Sequence, residues 1–196
     1  MKSKKELRLQ MKLTIAAQGT KKPRVDEAIL QNLINLSLLS EARSLAAFLA
    51  IEHEPDLKNF LQHWLRQDKQ LLLPRFNSRV KAYELVPVNN LQQDLEEGHY
   101  GIWEPAAALD KIEFTELFPQ AWLIPGLAFS PDGARLGRGA GYYDRLLAKV
   151  KAPIVGVCLE YQILPEIPSC RHDVKMHYLL TETRIVNCTR PQEQRW

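Results

Sequence analysis

Between Pro125 and Asp144 the chain reads P-G-L-A-F-S-P-D-G-A-R-L-G-R-G-A-G-Y-Y-D, which gathers five glycines and two arginines in twenty residues. Gly133, Gly137, Gly139 and Gly141 permit positive φ and close approach of backbone to a bound group. Arg135 and Arg138 add planar donor forks that match the oxygens of phosphate or carboxylate. Tyr142, Tyr143, Leu146, Leu147 and Val150 then recur at helical spacing. The run is therefore expected to end on a helix N-terminus, where free N–H groups and the dipole attract negative charge. This combination suits capture of a phosphorylated or anionic ligand. It is not a standard phosphate loop: the Walker spacing G-x-x-x-x-G-K-[ST] is absent, and no G-x-G-x-x-G is followed by an acidic residue about twenty positions on.

Other chemistries find little support. There is no G-x-S-x-G elbow and no recognisable cysteine nucleophile motif. Cys158, Cys170 and Cys188 form no C-x-x-C pair, so neither a zinc site nor a disulfide framework is expected. His172 and His177 lack partner spacing for a transition metal. The 196 residues carry a formal net charge of only +3, with Lys and Arg scattered, which disfavours nucleic acid as the main partner and suits a small anionic molecule. No apolar run reaches the roughly 18 residues of a membrane span. A hydrophobic content of 45% is enough for one core. The expectation is one domain over residues 1–196 with a flexible tail after about 187, a monomer in the cytoplasm with no nucleic-acid or membrane partner.

The elements that must position the glycine run read as an α/β alternation. Residues 2–17 and 24–39 read as helices broken near Gly19 and Pro23; Val25, Ile29, Leu33 and Leu36 mark one face of the second. Ser44 to Ile51 is an apolar run of strand length, followed by a helix face of Leu57, Phe60, Leu61, Trp64 and Leu65. Leu71–Leu73, Tyr83–Val86, Ala121–Ile124 and Ile154–Leu159 are further strands. Such short unbroken runs suit a mostly parallel sheet covered by helices on both faces, a three-layer Rossmann-like arrangement. Ligands of these sheets sit beyond the carboxyl ends of the strands. Glu54, Arg75, the 126–141 loop and the segment from Glu160 all follow expected strands, so one cleft can collect them.

The run R-L-G-R-G-x-G-Y-Y-D resembles the signature of the 5-formyltetrahydrofolate cyclo-ligase family, also called methenyltetrahydrofolate synthetases. The resemblance extends to K-K-E-L-R (Lys4 to Arg8), F-L-A-I-E-H-E (Phe48 to Glu54), L-P-R (Leu73 to Arg75), G-I-W-E-P (Gly101 to Pro105) and H-D-V-K (His172 to Lys175). These matches run in order over roughly residues 4 to 180. The chain departs at Ser130, where an acidic residue is common, at Ala140, where Gly or Lys is common, and after Asn187, where no counterpart is placed.

The resemblance implies ATP- and Mg-dependent closure of 5-formyltetrahydrofolate to 5,10-methenyltetrahydrofolate with release of ADP and phosphate. The implied route phosphorylates the formyl oxygen, after which N10 attacks the activated carbon. It implies ATP contacts from Lys4, Lys5 and Arg8 on one helix, and from Arg135, Gly137, Arg138, Gly139, Gly141, Tyr143 and Asp144 around the glycine run. Folate contacts are implied for Leu49, Glu54, Arg75 and Trp103, and for Arg138, Gly139, Ala140, Gly141 and Tyr142. Arg138 and Tyr142 take the catalytic roles, and Asp144 with Asp173 holds Mg. Glu52 competes with Glu54 for the carboxylate that faces the pterin.

Without that resemblance, plainer roles are open: a solvated basic helix end for Lys4, Lys5 and Arg8, and a salt bridge for Arg75. Asp144 offsets a helix dipole and Asp173 accepts backbone hydrogen bonds in a turn, while Leu49 and Trp103 are core and Glu54 is a loop acid. Two other classes also stand: a module that binds a sugar phosphate or nucleotide without turnover, and a basic nucleic-acid-associated protein suggested by K-S-K-K and by K-K-P-R at Lys21 to Arg24.

Overall fold

A computed structural model describes residues 2–18, 23–51, 53–98, 101–112 and 119–189. Ser3 opens the first element: its hydroxyl accepts the Glu6 N–H at 3.3 Å while its own N–H donates to the Glu6 carboxylate at 2.7 Å. This is the reciprocal capping box that S-K-K-E supplies. Helix α1 (Lys4–Ala17) then buries Leu7, Met11 and Ile15 at a spacing of four. The expected 24–39 helix is two helices, α2 (Pro23–Ile34) and α3 (Ser37–Glu41), because Leu36 is extended with ψ 106°. Residue types that favour turns, Asn35 and Ser37, flank this break, and within α3 Ser40 Oγ donates to Ser37 O at 2.8 Å. The change of direction lets Leu36 and Leu39 both reach the core. Gly19, Lys21 and Lys22 lie outside the described residues.

The chain continues through β1 (Ser44–Ala46), α4 (Lys58–Leu65), β2 (Gln70–Asn77), β3 (Ala82–Val88), and a small hairpin of β4 (Leu95–Glu97) with β5 (Trp103–Pro105). Next come β6 (Ala121–Ile124), a second hairpin of β7 (Ala128–Phe129) with β8 (Arg135–Leu136), α5 (Tyr142–Leu147), β9 (Ile154–Val157), β10 (Tyr178–Leu180) and β11 (Ile185–Asn187). Among the described residues, seven strands form one mixed sheet in the order β11-β10-β9-β6-β1-β2-β3. From β10 to β2 the neighbours are parallel, and only the edge strands β11 and β3 run antiparallel.

Alternate side chains feed two cores. Leu45, Leu71, Leu123 and Val155 face α2, α3 and α4, whereas Ala46, Leu72, Trp122 and Ile154 face Leu146 and Leu147 of α5. Helix α1 packs on the β7–β8 hairpin instead, through Leu127, Ala128 and Leu136. That docking brings the N-terminal helix beside the glycine run. The order reverses at the centre: from β1 the chain moves to β2 on one side, while β6 and then β9 extend the other. A crevice beyond the carboxyl ends of β1 and β6 is therefore built into the topology.

Two differences from the sequence reading matter for that crevice. The apolar run from Ser44 pairs in the sheet only through Ala46, with the Ala47 N–H still donating to Leu72 O at 3.0 Å. Phe48, Leu49 and Ile51 instead leave the sheet and wall the crevice. The glycine stretch is likewise not one loop. Gly133, at φ 85°, turns the β7–β8 hairpin, and a Cβ there would meet Met176 O at 2.3 Å. It belongs to the hairpin rather than to an anion site.

Candidate active site

The crevice is a cavity of about 380 Å³. The loop after β1 contributes Leu49 and Glu54, the loop after β6 contributes Pro125 and Gly126, and α1 contributes Lys4 and Arg8. The segment after β8 supplies Arg135, Gly137, Arg138, Gly139, Ala140 and Gly141, followed by Tyr142, Tyr143 and Asp144 of α5. Trp103 of β5 and Asp173 complete most of the expected set. Residues some 170 positions apart in the chain thus share one space.

One wall is cationic and internally paired. Arg8 Nε donates to Gly137 O at 2.9 Å, which ties α1 to the glycine segment. Lys4 Nζ contacts Asp173 Oδ2 at 2.5 Å, Arg135 Nη2 contacts Asp144 Oδ1 at 2.8 Å, and Arg138 Nη2 reaches Glu54 Oε1 at 3.4 Å. Arg135 is nearly buried, its side chain 5% exposed, yet its Nε has no hydrogen-bond partner among the described residues. The guanidinium lies 5.5 Å from the Tyr143 ring centroid. Gly137 leaves room for the Arg135 guanidinium: a Cβ there would stand 2.9 Å from Nη1, which would have to shift. Gly139 and Gly141 do adopt the left-handed φ that their type favours, 111° and 67°. Gly141 forms the N-cap of α5.

Asp173 is held ionised. Burial would raise its carboxyl, but hydrogen bonds from Lys4 and from the Cys170 N–H, with the charges of Lys4 and Arg135, bring it below the usual aspartate range. Arg135 therefore acts electrostatically on Asp173 as well as on Asp144.

Another wall is aromatic. Phe76 and Tyr83 face each other across β2 and β3, and Tyr142 sits 5.2 Å from Phe76 and 5.3 Å from Tyr83 between ring centroids. Burial, then the charges of Glu104 and Glu54, push the Tyr83 phenol above its ordinary value, and burial pushes Tyr143 further still. Each remains a hydrogen-bond donor at neutral pH. No motif in the sequence marks Phe76 or Tyr83 as site residues. Phe76 and Tyr83 meet only through the β2–β3 register, whereas Glu104 stands beside Trp103 in G-I-W-E-P, where its type and position signal the site.

Two expected residues stand apart from the cavity lining, and one lies outside the described residues. Lys5 is exposed on α1. Arg75, expected to leave a strand into the cleft, lies within β2 and turns its guanidinium onto protein groups: Glu84 Oε1 at 2.7 Å, Ala106 O at 2.7 Å and Leu109 O at 2.8 Å. Its salt-bridge role is the one the geometry supports. Glu52 lies outside the described residues, so the geometry speaks only for Glu54.

The sites of other chemistries are equally legible. Burial raises the Cys158 thiol well above its ordinary value, and burial pushes Cys188 up to about 11, so neither is a thiolate nucleophile at neutral pH. Among the described residues, no group of three or more His, Cys, Asp or Glu could hold a metal by itself. No helix among them is long and apolar enough to cross a membrane.

Residues 1–182 match the model of the 5-formyltetrahydrofolate cyclo-ligase family. The chain belongs to that family. A probable 5-formyltetrahydrofolate cyclo-ligase of Caenorhabditis elegans is 27% identical over 93% of this chain and 94% of its own length. The 5-formyltetrahydrofolate cyclo-ligase of Mus musculus is 26% identical over 92% and 94%. Among solved structures, a 5,10-methenyltetrahydrofolate synthetase of Aquifex aeolicus superposes with a TM-score of 0.80 at 27% identity, covering 98% of this chain and 96% of that one. The family's activity, ATP-dependent conversion of 5-formyltetrahydrofolate to 5,10-methenyltetrahydrofolate, is accordingly the activity of this chain. A binding module without turnover is set aside by this membership.

Proposed function

We propose that the cavity at the β1/β6 switch point is where this cyclo-ligase reaction occurs, and that its two walls divide the work. Lys4, Arg8, Arg135 and Arg138 hold the triphosphate of ATP. The pterin lies against Tyr142, Phe76 and Tyr83, with Leu49 and Trp103 closing its edges and the Glu54 carboxylate accepting hydrogen bonds from ring N–H groups. The formyl oxygen on N5 attacks the γ-phosphorus and ADP departs. N10 then adds to the phosphorylated formyl carbon, its proton is released, and inorganic phosphate leaves with the former formyl oxygen. Such transfer depends on positioning and on fixed cations near developing charge. Arg138, half exposed and reaching only 3.4 Å toward Glu54, is the arginine free to follow the phosphoryl group between the walls. Tyr142 orients the formyl group.

The acid pair fits Mg in one specific sense. Asp144 and Asp173 both line the cavity, but each is neutralised by a protein cation and no third ligand stands with them among the described residues. That donor set suits an ion which keeps waters and takes its remaining oxygens from phosphate. Mg bound with ATP would supply charge neutralisation of the phosphates. In this reading the protein works as a single-domain cytoplasmic monomer without nucleic-acid or membrane partners.

The observation that carries the assignment is the gathering of Lys4, Arg8, Arg135, Arg138, Asp144 and Asp173 with Glu54 and Tyr142 around one cavity. Purified protein with Mg, ATP and 5-formyltetrahydrofolate is expected to give the methenyl product, read by its near-ultraviolet absorbance, with one ADP per product. Absence of both signals with freshly prepared protein would reject it.

A further inference from the structure

A second cavity, of about 630 Å³, adjoins the first and shares Ile51, Glu54, Ile102, Trp103, Gly126 and Arg138 with it. The first is at the small end for a reaction between two substrates. Pockets for a single drug-sized ligand run from roughly 300 to 1,000 Å³, and 380 Å³ must serve parts of two substrates. One of them therefore extends next door.

The chemistry of the second cavity separates the candidates. Its lining is apolar at Ile15, Ala16, Ala50 and Leu127 and carries Lys12 and His53, with Arg138 and Glu54 shared with the first cavity. Lys12 continues a stripe. Lys4, Arg8 and Lys12 recur every four residues along α1, which puts them on one face, and the first two line the first cavity while the third lines the second. At 1.5 Å per residue, Lys12 stands about 12 Å along the helix axis from Lys4. Lys12 has no ion-pair partner among the described residues, in contrast with Lys4 on Asp173. An apolar lining joined by the cations Lys12 and Arg138 fits an aromatic group followed by carboxylates. A reduced folate has that tail, a benzoyl ring amide-linked to glutamate, whereas the far end of ATP is an uncharged nucleoside.

Resting on the folate reading above, we infer that the second cavity receives the benzoylglutamate tail of the substrate, with Lys12 the principal contact of its carboxylates and His53 beside it. Lys12 is a specificity-determining residue that discriminates substrates by their distal charge and takes no part in the chemical step.

The test compares two substrates, 5-formyltetrahydrofolate and 5-formyltetrahydropteroate, which is the same molecule without glutamate. Lys12→Ala is expected to raise KM for the folate about threefold and Lys12→Glu about tenfold, the range of one to two exposed charge contacts. Turnover, KM for ATP and KM for the pteroate should stay as in the parent protein, and the parent's preference for folate over pteroate should shrink as ionic strength rises. A rise in KM for ATP with that for folate unchanged would assign the cavity to the nucleotide and overturn the inference. So would an equal rise for folate and pteroate, or no change in any constant. Failure of the parent protein to turn over either substrate would instead strike the folate reading beneath it.

Discussion

Two arginines of this protein, Arg135 buried and Arg75 partly buried, each hold a carboxylate, at 2.7 Å for Arg75 on Glu84 and 2.8 Å for Arg135 on Asp144, yet their surroundings differ. Arg75 joins β2 to β3 and to the loop after β5, where Ala106 O and Leu109 O accept from its Nη1 while Nε and Nη2 donate to Glu84. Asn77 completes the cluster by donating to the other Glu84 oxygen at 3.1 Å. Arg135 faces a cavity, its Nε has no partner among the described residues, and its charge reaches a second acid, Asp173. A buried donor left without a partner costs stability, by about 1–3 kcal/mol. A fully bonded arginine cements structure; one with capacity left over at a cavity wall is arranged for something that arrives.

The sharpest way to break this contrast is to remove each arginine and read both stability and turnover. Arg135→Ala is expected to lower kcat about 10²- to 10³-fold, the scale seen when one preorganised charge partner of a transition state is lost. Its melting temperature should fall only modestly, because Asp144 is 35% exposed and can rehydrate. Arg75→Ala should do the reverse. It strips Glu84, 17% exposed, and two loop carbonyls of their donor, a loss of about 2–4 kcal/mol or about 5–10 °C for a chain of this size. Turnover per folded molecule should stay within about threefold of the parent by the same reasoning that surface-remote changes add independently. If Arg75→Ala proved kinetically crippled and thermally unchanged, the distinction between the two arginines would collapse.

The same pair explains what could be read in advance. Arg135, Arg138 and the glycines from Gly137 to Gly141 lie within a few positions of each other, so spacing alone marks them as candidates for one anion-binding group. Arg75 matched the family equally well in L-P-R, but its role depends on carbonyls some thirty residues away in the loop after β5, which no local pattern announces. The β-strand cores were legible as apolar runs, whereas the early exit of Phe48 to Ile51 from the sheet was not, because an apolar run reads alike whether it fills a core or lines a cavity. The aromatic wall escaped notice for a related reason: Phe76 and Tyr83 become neighbours only through hairpin register.

A smaller effect tests the acids that the two cationic groups hold. Asp173→Asn keeps the size of the side chain and can still accept the Cys170 N–H, but it removes the charge that Lys4 and Arg135 stabilise. The Mg concentration for half-maximal rate should rise about 3- to 10-fold, as for loss of one carboxylate from a phosphate-bridged site, with ATP saturating throughout. A superimposable Mg titration would remove Asp173 from the metal's surroundings and leave it as a structural partner of Lys4, on the same footing as Glu84.

The least of these effects concerns Glu84 and acid. Burial alone would raise its carboxyl, but hydrogen bonds from Asn77 and Arg75, with the charges of Arg75 and Lys111, hold it below the ordinary 4.5. A carboxyl depressed on folding contributes stability that is fully present above its unfolded pKa and is lost as pH falls through the lower folded value. The melting-temperature gap between the parent and Glu84→Gln should therefore be constant near neutrality and begin to close below about pH 4.5. The gap itself should be small, about 1 kcal/mol or less of charge contribution once partial exposure is allowed for. In an Arg75→Ala background the closure should shrink, because the hydrogen bond and charge of Arg75 are gone while the Asn77 hydrogen bond and the Lys111 charge still depress Glu84. A gap that stays constant into acid in the parent background would mean that the pair stabilises the hairpin through hydrogen-bond geometry alone, and the likeness to Arg135–Asp144 would end at distance.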